Sequence, residues 1–124
     1  MCGVFSIFNF SYDDNKIEHE FNKGKGRGPE FSVLQHNDQA KCLMGFHRLA
    51  INGLDKTSNQ PFNIDNIMCI CNGEIYNHTS LYKYMNGVKT TSNSDCEVII
   101  HLYKKYGFKH TIRMLDGVFA IILI

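Results

Sequence analysis

A chain of 124 residues accommodates one domain with a single real core and leaves no room for a second full domain. Its 44% apolar and 20% charged residues make a globular composition, which excludes disorder along the whole length. A formal net charge of +1 supplies no long-range field for a polyanion, so nucleic acid is not an expected partner.

The run Gly3 to Asn9 predicts a strand that starts almost at the first residue and is closed by the polar cluster Ser11 to Asn15. Residues 15–23 suit a short helix, and Gly24 to Pro29 interrupts regular structure, with Lys23, Lys25 and Arg27 in a flexible loop. A strand is signalled near Phe31 to Gln35. From Leu43 to Asn52 the residues alternate as in a strand, which sends His47 and Arg48 to opposite faces. The apolar run Ile67 to Cys71 predicts a buried strand ending at Asn72-Gly73, a position suited to chemistry.

Asn77 is placed to cap a helix running to Met85, with Leu81, Tyr84 and Met85 on one side and Asn86-Gly87 as its stop. Ser94-Asp95-Cys96-Glu97 has the capping-box pattern, in front of a stripe made by Val98, Ile99, Leu102, Tyr103 and Tyr106. Gly107 ends that helix, and Lys104 and Lys105 complement its dipole. His110 to Leu115 predicts a short helix, and Gly117 to Ile124 an apolar strand. Helices that cluster, rather than alternate with parallel strands, indicate an α+β class.

The five cysteines are Cys2, Cys42, Cys69, Cys71 and Cys96. An odd count, no recognisable signal peptide and no apolar stretch long enough for a bilayer predict free thiols in a reducing, cytoplasmic setting, with no membrane partner. Cys69 and Cys71 would share one face of a strand, as small buried hydrophobes rather than zinc ligands. His19, His36, His78, His101 and His110 fall in no ligand spacing, so no metal is expected. Gly24-x-Gly26-x-Gly28 leads into a proline rather than a helix, so it is no phosphate loop, and no cofactor is implied.

Cys2 is followed by Gly3, and a small residue after Met1 permits its removal. Cys2 would then carry a thiol and a free α-amine together. An α-amine has an ordinary pKa of about 7.7 to 8.0, so at neutral pH it can act as general base for its own thiol. A Met-Cys start alone carries little weight; its context supplies the rest.

That context consists of Met1-Cys2-Gly3-Val4-Phe5, Arg27-Gly28-Pro29-Glu30, His47-Arg48-Leu49-Ala50-Ile51, Gln60-Pro61-Phe62, Asn72-Gly73-Glu74-Ile75-Tyr76-Asn77, Ser94-Asp95-Cys96-Glu97 and Leu115-Asp116-Gly117-Val118-Phe119-Ala120. In this order and over nearly the whole chain, the motifs resemble the class II (N-terminal nucleophile) glutamine amidotransferases. Asn-Gly-Glu-Ile-Tyr-Asn makes the resemblance strongest to the glutaminase domain of asparagine synthetases. The family usually has aspartate where this chain has Glu30, and the stretch between Ser6 and Gly28 is shorter than in typical members.

The resemblance implies a layered α-β-β-α N-terminal-nucleophile hydrolase fold, incomplete at the C-terminus. Residues 1–124 would form a partial glutaminase domain, with the ATP-binding synthetase domain absent. It implies L-glutamine as substrate and Cys2 as the nucleophile that forms a γ-glutamyl thioester. Asn72, through its side-chain amide, and Gly73, through its backbone N–H, would form the oxyanion hole. Arg48 would hold the substrate α-carboxylate, and Asp95 and Glu74 its α-ammonium. His47, on the opposite face from Arg48, is expected to be structural.

Three readings stand at this point. The chain is a glutaminase releasing ammonia, with a separately encoded synthetase or a completing polypeptide as partner. Alternatively it is a non-catalytic module binding glutamine or a partner chain through an open sheet edge. The third reading is a degenerate fragment. An apolar final strand with no following hairpin partner would be an aggregation hazard if left unpaired.

Overall fold

The strand pattern of the sequence is realised as two three-stranded antiparallel sheets in a computed structural model that describes every residue except Met1, Phe10 and Tyr12. The expected removal of Met1 therefore concerns a residue outside the described set. The first sheet has the order β1-β3-β2, from Gly3–Phe8, Cys42–Arg48 and Phe31–Asn37. The second has the order β4-β5-β6, from Phe62–Ile64, Ile67–Ile75 and Gly117–Leu123. Helix α1 spans Asp14–Asn22, α2 spans His78–Met85 and α3 spans Val98–Met114. The α+β class is therefore observed.

Side-chain alternation decides what each sheet face meets. Cys42, Met44 and Phe46 of β3 join Met68 and Ile70 of β5 in one buried cluster, completed by Val4, Val33, Ile122 and Ile124. The odd-numbered residues of β5, Cys69, Cys71 and Ile75, pack on Leu81 and Met85 of α2 and on Val98, Ile99 and Leu102 of α3. Cys69 and Cys71 do share one buried face.

On the outer face of the first sheet, α1 lays Ile17 and Phe21 down as its buried residues. The Phe21 ring stacks on His47 with centroids 3.9 Å apart and meets Phe5 edge-on at 5.7 Å. Gly45 makes room for it, since a Cβ there would stand 2.6 Å from Phe21 Cε2. His47 is buried, with Nδ1 2.7 Å from Ser32 Oγ and Nε2 2.9 Å from the Phe21 carbonyl oxygen. It faces away from Arg48, as the alternation predicts.

Several local expectations are corrected. The strand predicted over Leu43 to Asn52 stops at Arg48. Beyond it, the chain turns into a segment held by hydrogen bonds to Arg48 rather than by a ladder. Asn72-Gly73 does not end its strand; β5 continues to Ile75, with Asn72 opposite Ala120 and Gly73 opposite Phe119 on β6. The glycine serves close approach of the two strands: a Cβ at Gly73 would lie 2.1 Å from the Val118 carbonyl oxygen. Strand β6 is paired along its length with β5 and forms one edge of its sheet.

The helices show similar adjustments. Asn77 precedes α2 without a side-chain cap; its Nδ2 donates to the Met114 carbonyl at 2.8 Å and its Oδ1 accepts from the Asp116 amide at 3.0 Å. Tyr84 is exposed, leaving Leu81 and Met85 as the buried side of α2. Gly107 breaks α3 as expected, with φ 74° and ψ 168°, a left-handed conformation that suits glycine. A turn of 3₁₀ helix, Lys25–Arg27, forms inside the stretch expected to lack regular structure. Among the described residues no helix is long and apolar enough to cross a membrane.

Phe46 is 1% exposed at the centre of the contact between the sheets. Phe46→Ala should lower unfolding free energy by about 3–5 kcal/mol in urea titration. A loss below about 1 kcal/mol would mean the two sheets do not share this core.

Candidate active site

Antiparallel pairing of β1 with β3 places Gly3 opposite His47, so Cys2 arrives at the level of Arg48 at the strand's end. The Leu49 amide donates to the Cys2 sulfur at 3.4 Å, and the thiol lies 3.5 Å from the Leu49 carbonyl oxygen. The sulfur is thus held between a backbone donor and a backbone acceptor of the same residue. The segment Arg27 to Glu30 fixes this corner from the other side. Gly28 lies so close to β3 that a Cβ would stand 2.4 Å from the His47 carbonyl oxygen. The Glu30 amide donates to the Arg48 carbonyl at 3.2 Å, and the Glu30 carboxylate accepts from the Ala50 amide. Glu30 thus fastens both residues flanking Leu49.

Arg48 points into the molecule and is 7% exposed. One terminal nitrogen donates to the Asp55 carbonyl at 2.9 Å and to Asn59 Oδ1 at 2.5 Å; the other donates to the Gly53 carbonyl. A guanidinium has five N–H donors. Three are used here, which leaves Nε–H and one terminal N–H without a partner among the described residues.

The loop that receives Arg48 is itself pinned by Asp55. Its carboxylate accepts from the Ser58 amide at 3.0 Å, the Ser58 hydroxyl at 3.1 Å, the Thr57 hydroxyl and Asn93 Nδ2 at 2.7 Å. The bonds from Thr57 and Asn93 are the main reason its carboxyl is held well below the usual carboxylate range.

The opposite wall comes from β5 and the turn before α3. Gln60 lies two residues before β4 and supplies with its side chain what a backbone partner would supply to Cys71. Its Oε1 accepts from the Cys71 amide at 2.6 Å and its Nε2 donates to the Cys71 carbonyl at 3.2 Å. Asn72 follows, and its Oδ1 is buried with no hydrogen-bond partner among the described residues. Asp95 is 5% exposed and accepts from the Ile75 amide through Oδ2 at 2.6 Å. Glu74 is exposed and makes no hydrogen bond or ion pair among the described residues. Ser94 Oγ accepts from the Cys96 amide at 3.3 Å and so caps this turn. Glu97 does not complete a capping box; its carboxylate is engaged with Thr91 and Ser92 instead.

These walls enclose a cavity of about 250 Å³, lined by all six residues singled out from the sequence: Cys2, Arg48, Asn72, Gly73, Glu74 and Asp95. Gln60, Ser58 and Ser94 line it as well, along with Cys71 and Cys96. The hydrogen bond with Cys71, and then burial, push the Cys96 thiol far above its ordinary range. Cys96 is buried, and its thiol bonds weakly to the Gly73 carbonyl at 3.8 Å. Among the described residues no group of three His, Cys, Asp or Glu side chains is arranged to hold a metal ion.

Sequence reasoning quoted Gln60 and Glu30 within motifs but assigned them no task, and it missed the Asp55 loop. Asp55-x-x-Ser58 does carry the local signal of a side chain capping a turn three residues on.

Comparison with known proteins identifies the family of the chain as a whole. A glutamine amidotransferase domain family model matches residues 1–124. A glutamine-hydrolysing asparagine synthetase of Sandersonia aurantiaca is 39% identical over 131 residues, which cover 100% of this chain and 24% of that protein. The corresponding proteins of Triphysaria versicolor and Asparagus officinalis are 37% and 39% identical, again over 100% of this chain and over 22% and 21% of their own lengths. The chain thus spans less than a quarter of each of these relatives. With its motifs gathered around one cavity and its whole length matched, the chain belongs to the glutamine amidotransferase domain family.

Proposed function

We propose that this chain is a glutaminase, hydrolysing L-glutamine to glutamate and ammonia through a thioester on Cys2, as the amide-donor part of asparagine biosynthesis. The observation that carries the reading is the convergence on one cavity of a thiol, a partly unpaired guanidinium, two carboxylates and an unpaired carboxamide. In fold terms we read the molecule as the layered α-β-β-α arrangement of N-terminal-nucleophile hydrolases. Helix α1 lies outside the first sheet, and α2 and α3 lie outside the second.

A free amino acid carries one charge of each sign, and recognition needs a group for each. Arg48 retains Nε–H and one terminal N–H for the α-carboxylate, a charge-assisted pair. Asp95 retains Oδ1 toward the α-ammonium while Oδ2 is fixed by Ile75, and Glu74 adds a second negative charge. With the substrate so held, its side-chain carboxamide reaches toward Cys2.

With Met1 removed, the Cys2 α-amine takes the thiol proton, and sulfur adds to the carboxamide carbon. Negative charge develops on the former carbonyl oxygen, where Asn72 Nδ2 and the Gly73 N–H act as donors. Such preorganised donors commonly contribute about 3 to 4 kcal/mol each. The C–N bond then breaks, ammonia leaves with the proton held by the amine, and water hydrolyses the thioester to glutamate and free Cys2. Ammonia would pass on to an amide-forming synthetase step, in a reducing cytoplasmic setting that keeps the five cysteines as thiols.

Cys2→Ala should abolish glutamine hydrolysis in an ammonia-release assay without affecting the fold; activity persisting in that variant refutes the nucleophile. Glutamine binding without turnover by the unmodified chain would instead support the non-catalytic module. Asp95→Asn keeps an oxygen for the Ile75 amide but loses the charge. It should raise the glutamine KM roughly tenfold, about 1.4 kcal/mol, while leaving an α-deaminated analogue nearly unaffected. Equal losses on both substrates would remove Asp95 from the ammonium site.

A further inference from the structure

Glu97 is 0% exposed, and a charged side chain is almost never fully buried unless it is paired. It does not line the cavity. Instead it reaches back from the turn before α3 to the stretch Thr91–Ser94, which has no helix or strand of its own. Its Oε1 accepts from the Thr91 amide at 2.7 Å and lies 3.0 Å from His101 Nε2; its Oε2 accepts from the Ser92 amide at 2.7 Å and from the Ser92 hydroxyl. Two carboxylate oxygens offer about four acceptor sites, and four donors fill them.

Burial alone would push the Glu97 carboxyl up. The Ser92 hydroxyl, Thr91 amide, His101 ring and Ser92 amide outweigh it and hold the group below its ordinary value. The carboxylate is thus the form the fold selects.

The segment fixed this way touches both walls of the site. Ser94 donates its amide to Ser92 Oγ at 3.2 Å and leads directly into Asp95. The Asn93 amide donates to Ser58 Oγ at 3.3 Å, and Asn93 Nδ2 donates to Asp55 Oδ2 at 2.7 Å. Asp55 in turn accepts from Arg48 through its carbonyl. Glu97 therefore sits behind a short polar relay with Asp95 at one end and Arg48 at the other.

We infer that Glu97 is a positioning residue that sets the spacing between Arg48 and Asp95, and thereby selects free α-amino acids bearing both an α-carboxylate and an α-ammonium. The inference rests on the glutamine reading above. A ligand with both charges must satisfy both walls at once and is sensitive to their spacing; a ligand with the carboxylate alone adjusts to Arg48 and is not.

The test measures glutamine binding by titration calorimetry in the full chain carrying Cys2→Ala, with and without Glu97→Gln, which keeps shape but sets an NH₂ group against two donors. Glutaramate, which lacks only the α-amine, is measured in competition. Glu97→Gln should raise the glutamine Kd about tenfold or more and change the glutaramate Kd less than about threefold. Ser92→Ala removes one donor and should raise the glutamine Kd about threefold; it carries the test if Glu97→Gln does not fold. An unchanged glutamine Kd, or equal weakening of both ligands, overturns the inference while leaving the glutaminase reading intact. No glutamine binding to the chain with Glu97 in place overturns both.

Discussion

The contact of Met44 and Phe46 with Met68 and Ile70 fixes where everything else can be. Strand alternation means that residues two apart share a face. On β3 the inward set 42, 44 and 46 continues to Arg48, and on β5 the inward set 68 and 70 continues to Asn72 and Glu74. The apolar members of each set join the sheets, and the polar members just beyond them become facing walls of a cavity. Site geometry is in this sense a continuation of core packing.

That geometry also needs places where backbone meets backbone. Side chains at Gly28 and Gly73 would collide with carbonyl oxygens of neighbouring strands at 2.4 and 2.1 Å. These glycines let the Arg-Gly-Pro segment close over β3 and let β6 lie against β5 at the level of the site. Polar side chains do the remaining fastening. Gln60 stands in for a strand, Asp55 for a turn, and Glu97 for an anchor of an otherwise irregular segment.

Where a period governs the structure, the sequence was readable. Period two separated His47 from Arg48 and put Cys69 with Cys71; the helical stripe found Val98, Ile99 and Leu102; Gly107 marked the break in α3. The cavity residues were found through motifs, since nothing in composition joins Cys2 to Asp95 across the chain. Failures fell where one local pattern serves two physical ends. Asn72-Gly73 was expected to end its strand, yet pairing with β6 carries β5 through it to Ile75. Ser-x-x-Glu signals a capping box, yet Glu97 has stronger partners at Thr91 and Ser92. Asn77 could cap α2, but its amide instead ties the end of α3 to the start of β6. Long-range partners decide these cases, and local sequence does not name them.

The central claim is that Cys2 is a nucleophile within a formed glutamine site. Intact-mass spectrometry of the purified chain, before and after treatment with the glutamine analogue 6-diazo-5-oxo-norleucine, tests it most directly. The account predicts a chain lacking Met1 that gains one adduct, located on Cys2, with excess glutamine slowing its formation. A folded chain that retains Met1 or takes no adduct would contradict it.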